Sequence, residues 1–193
     1  MSNIIKLIVG LGNFGKRYVN TRHNIGYEFV QLLSEYYKQS LKEEKKFFGY
    51  FSTICLSNHK LFLLTPTLYM NSSGTSVLAI ANFYRIKISE ILIIHDELNL
   101  LPGTAKIKFG GSNNGHKGVN DIQNKFNNNP NFYRLRIGIG HPGNKYDVTK
   151  FVLSKPSLQE NKKIHYIINK LMNYIIILVN NDISSTFKKS FNL

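Results

Sequence analysis

A chain of 193 residues with 42% hydrophobic and 12% aromatic residues can bury one full core, which excludes a disordered tail and leaves little room for a second domain. A net charge of +14 favours a polyanionic partner, although 20 of the 25 basic residues are Lys, which biased codon usage produces as readily. One cysteine, Cys55, excludes an internal disulfide and a thiolate metal site. The longest apolar stretch, 164–179, is interrupted by Asn169, Lys170 and Asn173 and falls short of the about 20 residues of a membrane span.

Residues 4–9 are a nearly continuous apolar run, with no signal peptide before it, so a cytoplasmic location is expected. The run predicts a buried strand that ends in the loop Gly10-Leu11-Gly12-Asn13. Ile25, Phe29, Leu32, Leu33 and Tyr36 fall at helical spacing and predict a helix over 25–38, followed by a charged surface stretch over 38–46. Residues 47–56 and 60–64 read as a hairpin turning near Ser57-Asn58, with Cys55 as a small core residue. Pro66 is expected to break the second strand. Asn71, Ser72 and Ser73 then offer capping oxygens to a helix carrying Val77, Leu78, Ala81 and Phe83.

The apolar run 90–94 predicts the strand at the sheet centre, ended by His95-Asp96-Glu97. A strand over 104–109, the Gly-rich loop 110–118, a short helix near 118–127 and a strand over 132–139 follow. Beyond a loop, read as a lid, over 140–153, Ser157 and Glu160 form a capping box that opens a long helix near 157–181. Ile164, Ile167, Ile168, Leu171, Met172, Ile175, Leu178 and Val179 make its apolar stripe. Strands interleaved with helices, without repeat or linker, predict a single α/β domain over 1–193, a three-layer αβα sandwich on a twisted mixed sheet.

The unusual polar residues collect where strands end, and ligands bind at the carboxyl ends of strands in open α/β sheets. His23 lies in the polar loop Thr21-Arg22-His23-Asn24, and its side chain exchanges a proton near neutral pH, as a general base must. Asp96, at the end of a buried strand, needs a partner to offset its desolvation, and a neighbouring imidazole is one; the bland alternative is that it caps the turn at 98–103. No activated nucleophile accompanies them: Ser112 is in no Gly-x-Ser-x-Gly elbow, and His95, His116 and His141 lack the spacing of a zinc site. A metal is therefore not expected, and if hydrolysis takes place here, water attacks directly and His23 takes its proton. Asn13, Asn71 and Asn114 can supply amide donors to a carbonyl or an oxyanion.

These residues resemble the bacterial-type peptidyl-tRNA hydrolases. The resemblance runs from Ile4 to about Leu153, with a compatible C-terminal helix. It is carried by six blocks in order: Leu7-Ile8-Val9-Gly10-Leu11-Gly12-Asn13, Thr21-Arg22-His23-Asn24-Ile25-Gly26, Tyr69-Met70-Asn71-Ser72-Ser73-Gly74, His95-Asp96-Glu97-Leu98, Gly115-His116-Lys117-Gly118 and the ten residues from Arg134 to Gly143. It implies hydrolysis of the ester of peptidyl-tRNA without metal or cofactor, by a monomer that meets the acceptor stem and 3′ CCA end of the tRNA. By the same resemblance His23 is the catalytic base and Asp96 the acid that stabilises it. Asn13 distinguishes blocked from free aminoacyl esters, and Tyr18, Tyr69, Asn71 and Lys117 stand at substrate-contacting positions. Lys108 and Arg136 match a pair that grips the tRNA 5′-phosphate, a role suited to a Lys and an Arg on neighbouring strands.

The chain departs from the pattern at Phe14, where Pro is usual, and at Thr65 and Leu68, where Lys and Thr are usual. The largest departure is Lys117 in place of an Asn, since lysine offers a donor and a charge but no acceptor. That leaves a competing expectation, a catalytically weakened RNA-binding module on the same fold. A third, a metal-dependent hydrolase, predicts loss of activity with a chelator.

Overall fold

The computed structural model describes residues 4–56, 59–144, 147–180 and 190–191. Strands β1 (Leu7–Gly10), β2 (Lys42–Glu44), β3 (Gly49–Cys55), β4 (Lys60–Pro66), β5 (Ile91–Glu97), β6 (Ala105–Phe109), β7 (Tyr133–Gly138) and β8 (Ser190–Phe191) form one mixed sheet in the order β2-β3-β4-β1-β5-β7-β6-β8. Helices α1 (Ile25–Tyr36), α2 (Ser73–Tyr84), α3 (Lys117–Lys125), α4 (Val148–Val152) and α5 (Leu158–Asn180) accompany it.

Central position explains the apolar run in β5. It pairs in parallel with β1 on one side and β7 on the other, and all of its residues are buried. Alternation along the strands then feeds two cores. Ile8, Leu92, Ile94, Leu135 and Ile137 pack with α1 and α5, whereas Leu7, Val9, Ile91 and Ile93 pack with α2 and α3. The result is a helix layer, a sheet and a second helix layer.

Several expected details differ. The strand at 91–97 runs on through His95, Asp96 and Glu97, which are therefore ladder residues and not the loop after it. Pro66 ends β4 without breaking it. It pairs with Gly49 beyond the last residue of β4 that meets β1, so no neighbour on that side asks for its missing N–H. Cys55 is exposed, because it closes β3 on the face opposite Ile54. The charged stretch after α1 contains β2, a short Lys/Glu edge strand.

The turn at Ser57-Asn58 and the side chain of Leu178 lie outside the described residues. The capping box of α5 is formed: Ser157 N–H donates to Glu160 at 2.7 Å and Glu160 N–H to the Ser157 hydroxyl at 3.3 Å. Ile164, Ile167, Ile168, Leu171, Met172, Ile175 and Val179 of α5 are buried. Among the described residues, no helix is long and apolar enough to cross a membrane.

Candidate active site

Close backbone packing sets the site. A methyl group on Gly26 would stand 2.1 Å from the Ile94 carbonyl oxygen, and one on Gly10 would stand 2.2 Å from that of Gly26. Glycine at both positions lets the first turn of α1 rest directly on β1 and β5. Backbone bonds hold it there, from Leu11 N–H to the Ile94 carbonyl at 3.0 Å and from Tyr27 N–H to the Leu11 carbonyl at 2.8 Å. The 3₁₀ turn Arg22–Asn24 ahead of α1 is thereby carried to the end of β5.

There His23 meets Asp96. The Nδ1 atom of the ring lies 2.9 Å and 3.0 Å from the two carboxylate oxygens, across 73 residues of chain. His116 approaches the same carboxylate, its Nε2 being 2.9 Å from Oδ1. Because His116 Nδ1 accepts the Val119 N–H as the N-cap of α3, its Nε2 carries the proton and donates. His23 donates from Nδ1, so its Nε2 is the basic nitrogen. A third ring, His95, donates to the Asp96 backbone carbonyl at 2.6 Å and stacks edge-on against His116 at 4.7 Å.

The electrostatics follow from burial and these contacts. Asp96 is almost fully buried, which opposes its charge, yet the two imidazoles outweigh that and hold its carboxyl well below the usual carboxylate range. Burial likewise disfavours a charged His23, but the Asp96 carboxylate prevails and raises its proton affinity, while the Lys117 charge works the other way. His95 is pushed far down by complete burial and by the neighbouring His116, so it is neutral. The donor atoms of His23, Asp96 and His116 lie within 4.8 Å of one another, a spacing a cation would also need. Here ring N–H bonds to Asp96 fill that space.

The dyad opens onto a cavity of about 300 Å³. Of the residues expected to bind substrate, Asn13, Tyr69, Asn71 and Lys117 line it with His23 and Asp96. Asn13 is fixed by its backbone, whose N–H and carbonyl pair with the side chain of Asn24 at 2.8 Å and 2.9 Å. Its own Oδ1 accepts the Met70 N–H at 2.9 Å, which leaves its amide nitrogen without a partner among the described residues.

Asn71 does not cap α2, and neither does the side chain of Ser72. Instead Asp121 of α3 accepts the Gly74 N–H at 2.7 Å, which leaves Asn71 to the cavity. Asn113 and Asn114 both line the cavity; Asn113 is engaged with Asn120 and Gln123 of α3 and with the Gly115 N–H, and Asn114 stands at φ 52°.

Three expected residues are placed differently. Tyr18 is not among the lining residues; it lies on the 3₁₀ turn Lys16–Tyr18, where its hydroxyl accepts from Arg17. Lys108 and Arg136 do sit on adjacent strands and on one face. The register, however, sets Lys108 opposite Arg134 and Lys106 opposite Arg136, so the expected pair is diagonal. Arg136 Nε also donates to buried Glu97 at 2.8 Å, and Arg134 is buried as a strut that donates to the carbonyls of Gly110 and Ser112.

Sequence reasoning gave no role to Asn24 or Lys106, and it weighed His116 only as a zinc ligand. It also gave no role to Arg22, which is buried and ties the His23 turn to residues 151–160. Its guanidinium donates to the Ser154 hydroxyl at 2.7 Å, the Lys155 carbonyl at 2.9 Å and Glu160 at 2.8 Å, and it lies over the Phe151 ring.

Comparison with known proteins gives the family. The family described as peptidyl-tRNA hydrolase matches residues 7–192. A peptidyl-tRNA hydrolase of Photorhabdus laumondii is 55% identical over 189 residues, 98% of this chain and 96% of that protein. One of Proteus mirabilis is 61% identical over 160 residues, 83% of this chain and 82% of that protein. The crystal structure of peptidyl-tRNA hydrolase from Acinetobacter baumannii superposes with a TM-score of 0.91 at 43% identity, covering 97% of this chain and 94% of that one. The chain belongs to the peptidyl-tRNA hydrolase family.

Proposed function

We propose that this chain hydrolyses the ester between a peptide and the 3′ end of its tRNA, with His23 as general base and Asp96 as the group that orients it. The observation that carries the assignment is the His23–Asp96 contact in the wall of the cavity. With Nδ1–H committed to Asp96, Nε2 takes a proton from water as its oxygen attacks the ester carbonyl. Collapse of the tetrahedral intermediate then expels the ribose 3′ oxygen, which leaves with the proton held by His23. The products are a peptide carboxylate and a tRNA with a free 3′ hydroxyl.

In this reading Asn13 recognises the blocked amine side of the ester through its free amide nitrogen, and Tyr69 and Asn71 hold the terminal nucleotide. Tyr18, on its exposed turn beyond the cavity, meets tRNA further from the ester. Lys108 and Arg136 contact the acceptor-stem phosphate, and α4 with the loop before it serves as a lid, since Val148, Thr149 and Val152 form one cavity wall. The enzyme works as a monomer in the cytoplasm. His23→Ala is expected to bind tRNA as the parent does and to release almost no free tRNA from N-acetyl-aminoacyl-tRNA; equal turnover would reject the assignment of the base.

A further inference from the structure

Lys117 is out of place by ordinary helix physics. It is the first residue of α3, where the helix dipole disfavours a cation. No ion pair is formed by it among the described residues, and it lines the cavity with the dyad. The anion nearest in the chemistry, Asp96, is already shared by two ring N–H groups. An ammonium has three donors and no acceptor, so it cannot orient an attacking water by accepting its proton. What it can hold is an anion that arrives during the reaction.

Two anions come with an ester of tRNA: backbone phosphates and the oxyanion that forms when water adds to the carbonyl. The position of Lys117 favours the second. It follows His116, whose ring lies 4.9 Å from that of His23, so it stands at the reacting end of the cavity. The basic residues suited to phosphate, Lys106, Lys108 and Arg136, are on β6 and β7 and do not line it. The Lys117 charge also acts on the His23 ring, which it makes harder to protonate.

We propose that Lys117 is a catalytic residue of this chain, its ammonium binding the oxyanion of the tetrahedral intermediate. As the water oxygen bonds to the carbonyl carbon, the C=O electron pair moves to oxygen and is stabilised by Lys117 Nζ, while the water proton goes to His23 Nε2. The pair returns as the ribose oxygen departs. Preformed donors of this kind act only where charge develops, so they raise kcat without tightening substrate binding.

This inference rests on His23 being the base. The test is steady-state hydrolysis of N-acetyl-aminoacyl-tRNA and of a short CCA-ended ester by the parent, Lys117→Met, Lys117→Arg and His23→Ala. Lys117→Met is expected to lose about 10²- to 10³-fold in kcat on both substrates with KM nearly unchanged, and Lys117→Arg to keep most of the rate. The acid limb of the Lys117→Met kcat/KM profile should move to higher pH, and the thermal midpoint of that variant should not fall, since a cation leaves a helix N-terminus.

A rise in KM confined to full-length tRNA would make Lys117 a phosphate contact and overturn the proposal, as would an unchanged kcat. If His23→Ala is inactive while Lys117→Met is fully active, only the oxyanion role falls. If His23→Ala keeps its rate, the base assignment has failed instead.

Discussion

Asp96 is the residue on which the site turns. A buried carboxylate is stable only when donors replace its water, and His23 and His116 supply them. The same contact orients His23 and makes it a stronger base. The direction of its shift fixes the pH dependence. His23 is protonated more readily than its ordinary 6.5, and only its neutral form can accept a proton from water, so kcat/KM should fall with decreasing pH through a midpoint above 6.5. Asp96→Asn removes the charge that raises that value. It should move the midpoint down and lower kcat by up to about 10⁴-fold, because an amide neither stabilises the imidazolium nor enforces the tautomer. A pH–rate profile of parent and variant checks both; an unmoved midpoint would assign the limb to another group.

At the scale of elements, the site depends on how closely α1 can approach the sheet. Gly26→Ala places a methyl against the Ile94 carbonyl, with backbone on both sides and no flexible side chain to yield. Such overpacking should cost at least about 2 kcal/mol in urea unfolding and should displace the His23 turn that precedes the helix, lowering kcat as well. Stability unchanged within error would show that α1 can shift without harm. The α2–α3 contact is a second example. Asp121 caps α2 in place of the local Ser and Asn side chains, so a carboxylate beside a helix N-terminus does the work that sequence alone assigns to neighbours in the chain.

For the molecule as a whole, the positive charge becomes specific only through strand register. Lys106, Lys108, Arg134 and Arg136 share one face of β6 and β7, but Arg134 is buried as a strut and Arg136 is partly held by Glu97. Replacing Lys108 or Arg136 by Ala should raise KM on full-length tRNA more than on a short CCA-ended ester and flatten the salt slope by about one unit per lost contact. Equal effects on both substrates would count against phosphate binding there. Lys106→Ala should behave in the same way, since Lys106 is the residue directly across from Arg136.

The layered fold and the His23–Asp96 pair were legible in the sequence, because periodicity and strand-end polarity are local signals. Lys106 was hidden because pairing register is not written in either strand. His116 was hidden because its link to Asp96 runs through space, and Cys55 was misplaced because strand parity at an exposed end carries no core pattern. Asn71 read as a cap because its competitor, Asp121, lies 50 residues further on.

The Arg22 tether also has a consequence in time. Residues 22 and 23 are synthesised well before the partners that clamp this guanidinium, which stand at 151–160. A growing chain therefore carries the His23 turn long before it can lock it, and that turn becomes rigid only once α5 has begun to wind.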